Sequence, residues 1–184
     1  SSAISLMDRG FLVALAHVRG GADLGQDWYE DGRLMHKRNS FNDFVDVADF
    51  LGRDGWCDPS RRFATGGSAG RLLMGAVANQ GGDRFRGIAL HVPFVDALTT
   101  MLDETIPLTT NEWTQWGNPK DSQVQYFEPA KYVARLRRLR TDRNPFVLHI
   151  NMEAGHGGRS GRFERLDQVA LEEAFFLDLA GIGR

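Results

Sequence analysis

Gly66-Gly67-Ser68-Ala69-Gly70 is the segment of this 184-residue sequence best suited to chemistry. It fits Gly-x-Ser-x-Gly, the sharp turn that carries a serine from a strand into a helix. Small neighbours are needed there because strand and helix pack closely around the turn. The serine hydroxyl then projects above the sheet, and the N–H of Ala69, at the start of the helix, can donate to an oxyanion. A hydroxyl is a poor nucleophile until a base takes its proton. With this turn the catalytic groups run serine, acid, histidine along the chain. That order excludes His17 and His36. His91 and His149 lie inside apolar segments and read as packing residues. His156, in Gly155-His156-Gly157-Gly158 just past an expected strand, can reach Ser68, although a solvated loop histidine is the plainer alternative. Asp83, Asp96, Asp103, Asp121 and Asp142 all satisfy the order, so spacing does not choose among them. Arg71 follows Gly70 and no Gly-Lys-Ser/Thr occurs, which excludes a phosphate-binding P-loop.

These residues need a scaffold, and the hydrophobic pattern supplies one. Phe11 to Val18 is an apolar run suited to a central parallel strand. Asp23 to Arg38 is polar and reads as irregular. Ser40 to Leu51 is expected to be a helix, with Ser40 and Asp43 as a capping pair and Phe41, Phe44, Val45, Ala48 and Leu51 on its buried face. Arg61 to Thr65 is a short strand leading into the serine turn, and Arg71 to Asn79 is the helix after it. Gly87 to Val95 and Pro145 to Met152 are further strands. Pro129 to Leu139 and Phe163 to Ala180 are helices. The alternation predicts an α/β fold, a mostly parallel sheet with helices on both faces. Sites in such folds lie at the C-terminal ends of the strands, where Ser68 and His156 both fall.

Length suits one domain, and 42% hydrophobic with 25% charged residues suits a globular one. A net charge of −2 gives no reason to expect nucleic acid or a membrane surface as partner. The single cysteine, Cys57, fits a reducing compartment, and the chain is expected to be cytoplasmic. No signal sequence or initiator Met is present, so a fragment or trimmed chain is expected. No metal or cofactor is implied, and the oligomeric state is not legible.

Nine ordered blocks carry a family resemblance. They are Asp8-Arg9-Gly10-Phe11, His17-Val18-Arg19-Gly20-Gly21, Trp28-Tyr29-Glu30-Asp31-Gly32, Gly66 to Gly70 with Leu72-Leu73-Met74-Gly75, Val92-Pro93-Phe94-Val95-Asp96, Thr99-Thr100-Met101-Leu102-Asp103-Glu104, Trp116-Gly117-Asn118-Pro119, Asp121 to Tyr126 and Gly155 to Gly158. Together they resemble the prolyl oligopeptidase family of serine peptidases, and within it the oligopeptidase B group. The resemblance implies an α/β-hydrolase fold and cleavage of short basic peptides after Arg or Lys. It implies Ser68 as nucleophile, Asp121 as the acid that orients the imidazole, His156 as general base and the Ala69 N–H as oxyanion donor. It also implies Glu112 as a carboxylate for the basic side chain. A second family glutamate is replaced by Thr114, which is expected to weaken the preference for Arg and Lys.

The chain also departs from the family pattern. It reads as one partial hydrolase domain over residues 1–184, without the family's N-terminal β-propeller and without its oxyanion tyrosine. Pro119-Lys120-Asp121 joins two blocks that the family separates by a helical stretch and a strand, so an internal deletion is expected at 120–121. Arg71 stands where the family has a small residue. A catalytically impaired fragment and a general esterase of the same fold are therefore the competing expectations, with a non-enzymatic binding module more distant.

Overall fold

The computed structural model describes residues 2–67, 70–91, 127–149 and 164–182. The expected positions Ser68, Ala69, Glu112, Asp121 and His156, and the side chain of Arg71, lie outside the described residues. The helices are α1 (Ser2–Met7), α2 (Gln26–Glu30), α3 (Arg38–Arg53), α4 (Gly70–Gly81), α5 (Phe127–Leu139) and α6 (Glu164–Ala180). The strands are β1 (Phe63–Gly67) and β2 (Gly87–His91). They pair in parallel from Phe63 opposite Gly87 to Gly67 opposite His91. Helix α4 makes the crossover between them. Among the described residues, no helix is long and apolar enough to cross a membrane.

Alternation along β1 decides which helix covers which face. Ala64 is buried with Met74 and Val77 of α4, and Ile88, Leu90, Phe44 and Val45 pack around them. The opposite face belongs to α6. The Phe63 ring lies 5.1 Å from that of Phe176. A Cβ built on Gly87 would lie 2.8 Å from Leu179 Cδ1. Helices on both faces of a parallel pair meet the α/β expectation.

The turn from β1 into α4 is very tight. A Cβ on Gly66 would lie 2.4 Å from the Gly70 carbonyl oxygen and 2.6 Å from Met74 Cγ. Strand and helix can approach this closely only because Gly66 has no side chain. Nothing among the described residues comes within 4 Å of a Cβ on Gly70.

A second close approach lies between the chain at Arg19-Gly20 and Gly32. A Cβ on Gly32 would sit 2.0 Å from the Gly20 nitrogen. Gly20 has a φ of 95°, a conformation that favours glycine. Helix α3 holds this crossing. The Ser40 hydroxyl donates to the Arg19 carbonyl at 2.5 Å. The Asp43 carboxylate accepts the Arg19 backbone N–H at 2.9 Å and its guanidinium at 2.5 Å and 2.9 Å. Burial opposes ionisation of Asp43, but its bonds from Arg19 outweigh that and hold the carboxyl below the usual range.

Four expectations are corrected here. Residues 23–38 are not irregular throughout, since they hold α2 and a 3-10 turn at Leu34–His36. Ser40 and Asp43 do not cap α3, which begins earlier, at Arg38; both side chains instead reach out to the crossing. Residues 11–18 form no strand, because neither β1 nor β2 offers them a ladder. Phe11 touches Phe63 at 5.8 Å, but Leu15 is 82% exposed. Residues 145–149 form no strand either. Asp142 accepts the Asn144 N–H at 2.8 Å and turns the chain. Phe146 then stacks under Arg137 and Arg140 of the α5 end rather than joining the sheet.

Two outcomes follow for stability. Gly66→Ala should cost about 3 kcal/mol by overpacking against backbone, and Gly70→Ala well under half of that. Denaturant midpoints of the two variants check the contrast, and equal losses would refute it. Asp43→Asn should cost about 1–3 kcal/mol at neutral pH by weakening the acceptor for a partly buried guanidinium. The folded carboxyl is held low, so the wild-type advantage is full above the ordinary aspartate range. It should vanish as pH falls through the lowered value. Stability curves of both proteins against pH measure this.

Candidate active site

Strand β1 ends at Gly67 and α4 begins at Gly70, so only residues 68 and 69 join strand to helix. The described residues thus bracket Ser68 with the strand–turn–helix context that a nucleophile elbow requires. The sharpness of that turn comes from Gly66, whose missing side chain admits the Gly70 carbonyl.

The direction of α6 follows from its contacts. Phe176 and Leu179, late in the helix, meet Phe63 and Gly87 at the start of the strands. Glu172, a turn earlier, meets His91 at the end of β2. Helix α6 therefore runs antiparallel to the strands, and its N-terminal end lies toward their C-terminal edge. His156 precedes that end by eight residues, since α6 starts at Glu164. The edge that leads to Ser68 and the helix that follows His156 are in this way brought together. The topology says nothing comparable for Asp121 or Glu112.

At the same edge the structure joins two side chains that the sequence reading left apart. His91 Nε2 and Glu172 Oε2 are 2.5 Å apart. Burial opposes ionisation of Glu172, but His91 and Thr65 prevail and hold its carboxyl below the usual range. The His91 side chain is 43% exposed and that of Glu172 only 18%. His91 is thus a polar partner of a carboxylate at a strand end rather than an apolar packing residue. His149 is likewise exposed, outside any strand. The signal for Glu172 was present in the sequence. Val169, Glu172, Phe176 and Leu179 share one helical stripe, and a carboxylate on a stripe that otherwise faces the sheet needs a partner.

A cleft of about 290 Å³ lies elsewhere, lined by His17, Val18, Trp28, Asp43, Asp46, Val47 and Phe50. None of these residues belongs to β1, β2 or α4. His17 Nδ1 pairs with Asp23 at 3.0 Å. Trp28 Nε1 donates to the His17 carbonyl at 3.1 Å, which ties this rim to the Arg19 crossing.

Comparison with known proteins agrees with this architecture. The chain is similar to dipeptidyl aminopeptidase BI of Pseudoxanthomonas mexicana, with 49% identity over 97% of the chain and 29% of the relative. That alignment runs over 211 positions, more than the 184 residues present, so the relative has positions with no counterpart here. The fold is similar to that of oligopeptidase B from Leishmania major, with a TM-score of 0.90, 38% identity, and coverage of 98% of this chain and 30% of that one. It is also similar to oligopeptidase B from Trypanosoma brucei with covalently bound antipain, with a TM-score of 0.83, 37% identity, and coverage of 91% and 28%. The chain spans about a third or less of each of these proteins. The model of the family described as "Prolyl oligopeptidase family" matches residues 1–127 and again 119–183. With nearly every residue matched, and with the α/β-hydrolase architecture of its structural relatives, this chain belongs to the prolyl oligopeptidase family.

Proposed function

We propose that this chain carries the catalytic machinery of a serine peptidase that hydrolyses short peptides after Arg or Lys. The observation that carries the reading is the tight β1–α4 connection. It leaves two residues, Ser68 and Ala69, at the turn, with Gly66 pressed against the Gly70 carbonyl. The relatives support the reading by kind, since their names are those of peptidases. The covalent antipain complex of a relative supports a nucleophilic mechanism.

In the proposed reaction His156 takes the proton from the Ser68 hydroxyl as its oxygen attacks the scissile carbonyl carbon. The carbonyl oxygen becomes an oxyanion facing the Ala69 N–H. When the tetrahedral species collapses, the C–N bond breaks and His156 returns the proton to the leaving amine. Water then repeats the sequence on the acyl-serine, releasing the acid and restoring Ser68. Asp121 holds the imidazole in the tautomer that can accept the proton. Glu112 faces the positive charge of the residue before the cleaved bond.

The joining of two family blocks at Pro119-Lys120-Asp121 belongs to the same reading. We take it as an internal deletion. The two overlapping family matches, which meet at 119–127, support this. Its consequence is a weaker hold on Asp121 and a reduced rate. The lone Cys57, which forms no disulfide, favours a reducing compartment such as the cytoplasm.

The test is hydrolysis of matched coumarin peptides ending in Arg, Lys or Phe, alongside a simple activated ester. Arg and Lys substrates should exceed Phe by roughly tenfold or more in kcat/KM, the worth of one charge-assisted carboxylate contact. Glu112→Gln should remove most of that ratio, and Ser68→Ala should abolish turnover. Equal rates for Arg and Phe would discard Glu112 as a specificity residue. Ester turnover without peptide turnover would favour an esterase instead. Turnover that survives Ser68→Ala would remove the elbow assignment.

A further inference from the structure

We propose that Glu172 is a positioning residue, the anchor that fixes α6 against the ends of β1 and β2 and so sets the part of the chain before α6 relative to the Ser68 turn. The geometry is independent of any reaction. The consequence for rate rests on the serine-hydrolase reading above.

Two anchors hold α6 on the sheet. One lies at the strand starts, where Phe176 meets Phe63, Leu179 meets Gly87, and Arg86 and Arg61 donate to the Leu179 and Ala180 carbonyls at 3.3 Å and 2.9 Å. The other is polar and lies at the strand ends, where Glu172 Oε2 is 2.5 Å from His91 Nε2. The polar anchor is the one beside the site. Gly67, which directly precedes Ser68, is the register partner of His91. Thr65 lies two residues before Gly67 on the same face of β1. Glu172 therefore bonds to β2 at the residue in register with Gly67, the last residue before the nucleophile turn, while Thr65 of β1 helps to favour its charged form.

The contacts of the first anchor all lie at the C-terminal end of α6, between Phe176 and Ala180, and leave the rest of the helix free to pivot about them. Hydrogen bonds to a carboxylate fix direction and register. Without the polar anchor, α6 would be held only near its C-terminal half. Its N-terminal half could then swing on the Phe63–Phe176 contact. The segment entering α6 carries His156, and a base displaced by about 1 Å from its nucleophile can lose on the order of 10²-fold in rate. No other described residue of α6 is shown bonding by its side chain to the end of either strand.

The experiment uses the intact chain and the variants Glu172→Ala, Glu172→Gln and His91→Ala. Hydrogen–deuterium exchange is followed over residues 63–67, 164–172 and 173–182, together with the rate of labelling by a fluorophosphonate. Glu172→Ala should speed exchange at 164–172 and at the end of β1 while 173–182 stays protected. Labelling should slow by roughly 10²-fold. Glu172→Gln, which keeps an oxygen that can accept from His91, should restore both readouts in part. His91→Ala removes only the exposed partner and should give a smaller change of the same pattern, and it serves if Glu172→Ala does not fold. Unchanged exchange in these variants overturns the anchor. Faster exchange with an unchanged labelling rate overturns its positioning role. A wild-type chain that takes no label overturns the hydrolase reading, and with it the role in the reaction, while the exchange pattern still decides whether Glu172 holds α6.

Discussion

The backbone of Gly66 lies against the carbonyl of Gly70, and no side chain fits between them. Much of the architecture depends on this contact. It lets β1 reverse into α4 across two residues, so that α4 can lie down on the strand it has just left. Met74, one helical turn after Gly70, then reaches back over Gly66 and is buried with Ala64 and Val77. A larger residue at 66 would lift α4 from the sheet. It would open the core and change the turn at once. The same constraint therefore serves packing and chemistry.

The crossover also commits the opposite face. With α4 and α3 on one side of the β1–β2 pair, Phe63 and Gly87 face the other side and call for an apolar cover. Helix α6 supplies it through Phe176 and Leu179. Its antiparallel direction brings Glu172 to the strand ends, where it meets His91. The crossing at Arg19, Gly20 and Gly32 is a second rigid unit. There Asp43 satisfies a partly buried guanidinium and a backbone N–H together. Removing that carboxylate would leave donors stranded, which makes it costlier to lose than an exposed surface pair.

Local pattern revealed the four longer helices well, because each carries a face with a 3.6-residue repeat, but not the short α1 and α2, the second of which buries no residue. The span 40–51 lies within α3, and 163–180 nearly matches α6. Strands were less legible. Phe11 to Val18 and Pro145 to Met152 have the apolar, branched character of buried strands, yet a strand exists only where a neighbour offers hydrogen bonds. That is a property of tertiary arrangement, not of eight residues. The Ser40–Asp43 pair shows a related failure. A serine followed three residues later by an acid fits a cap, but both side chains found stronger partners across the chain. For the site, the motif at 66–70 foretold the strand–turn–helix and the need for glycine at 66. The family resemblance foretold the relatives. The assignments of Asp121, His156 and Glu112 rest on that resemblance. Glu172 was missed because a pairwise contact across 81 positions, from His91 to Glu172, leaves no local trace beyond a charge on an apolar stripe.

The central claim is that the turn after β1 carries an activated serine. The direct measurement is to react the folded chain with a fluorophosphonate, digest it and map the adduct by mass spectrometry. A serine oxygen with a working base displaces fluoride and keeps the phosphonyl group, whereas an ordinary surface serine does not react. The account predicts a single adduct on the peptide containing Ser68, absent from Ser68→Ala. A folded chain that acquires no adduct, or one that carries it on another serine, would contradict the account.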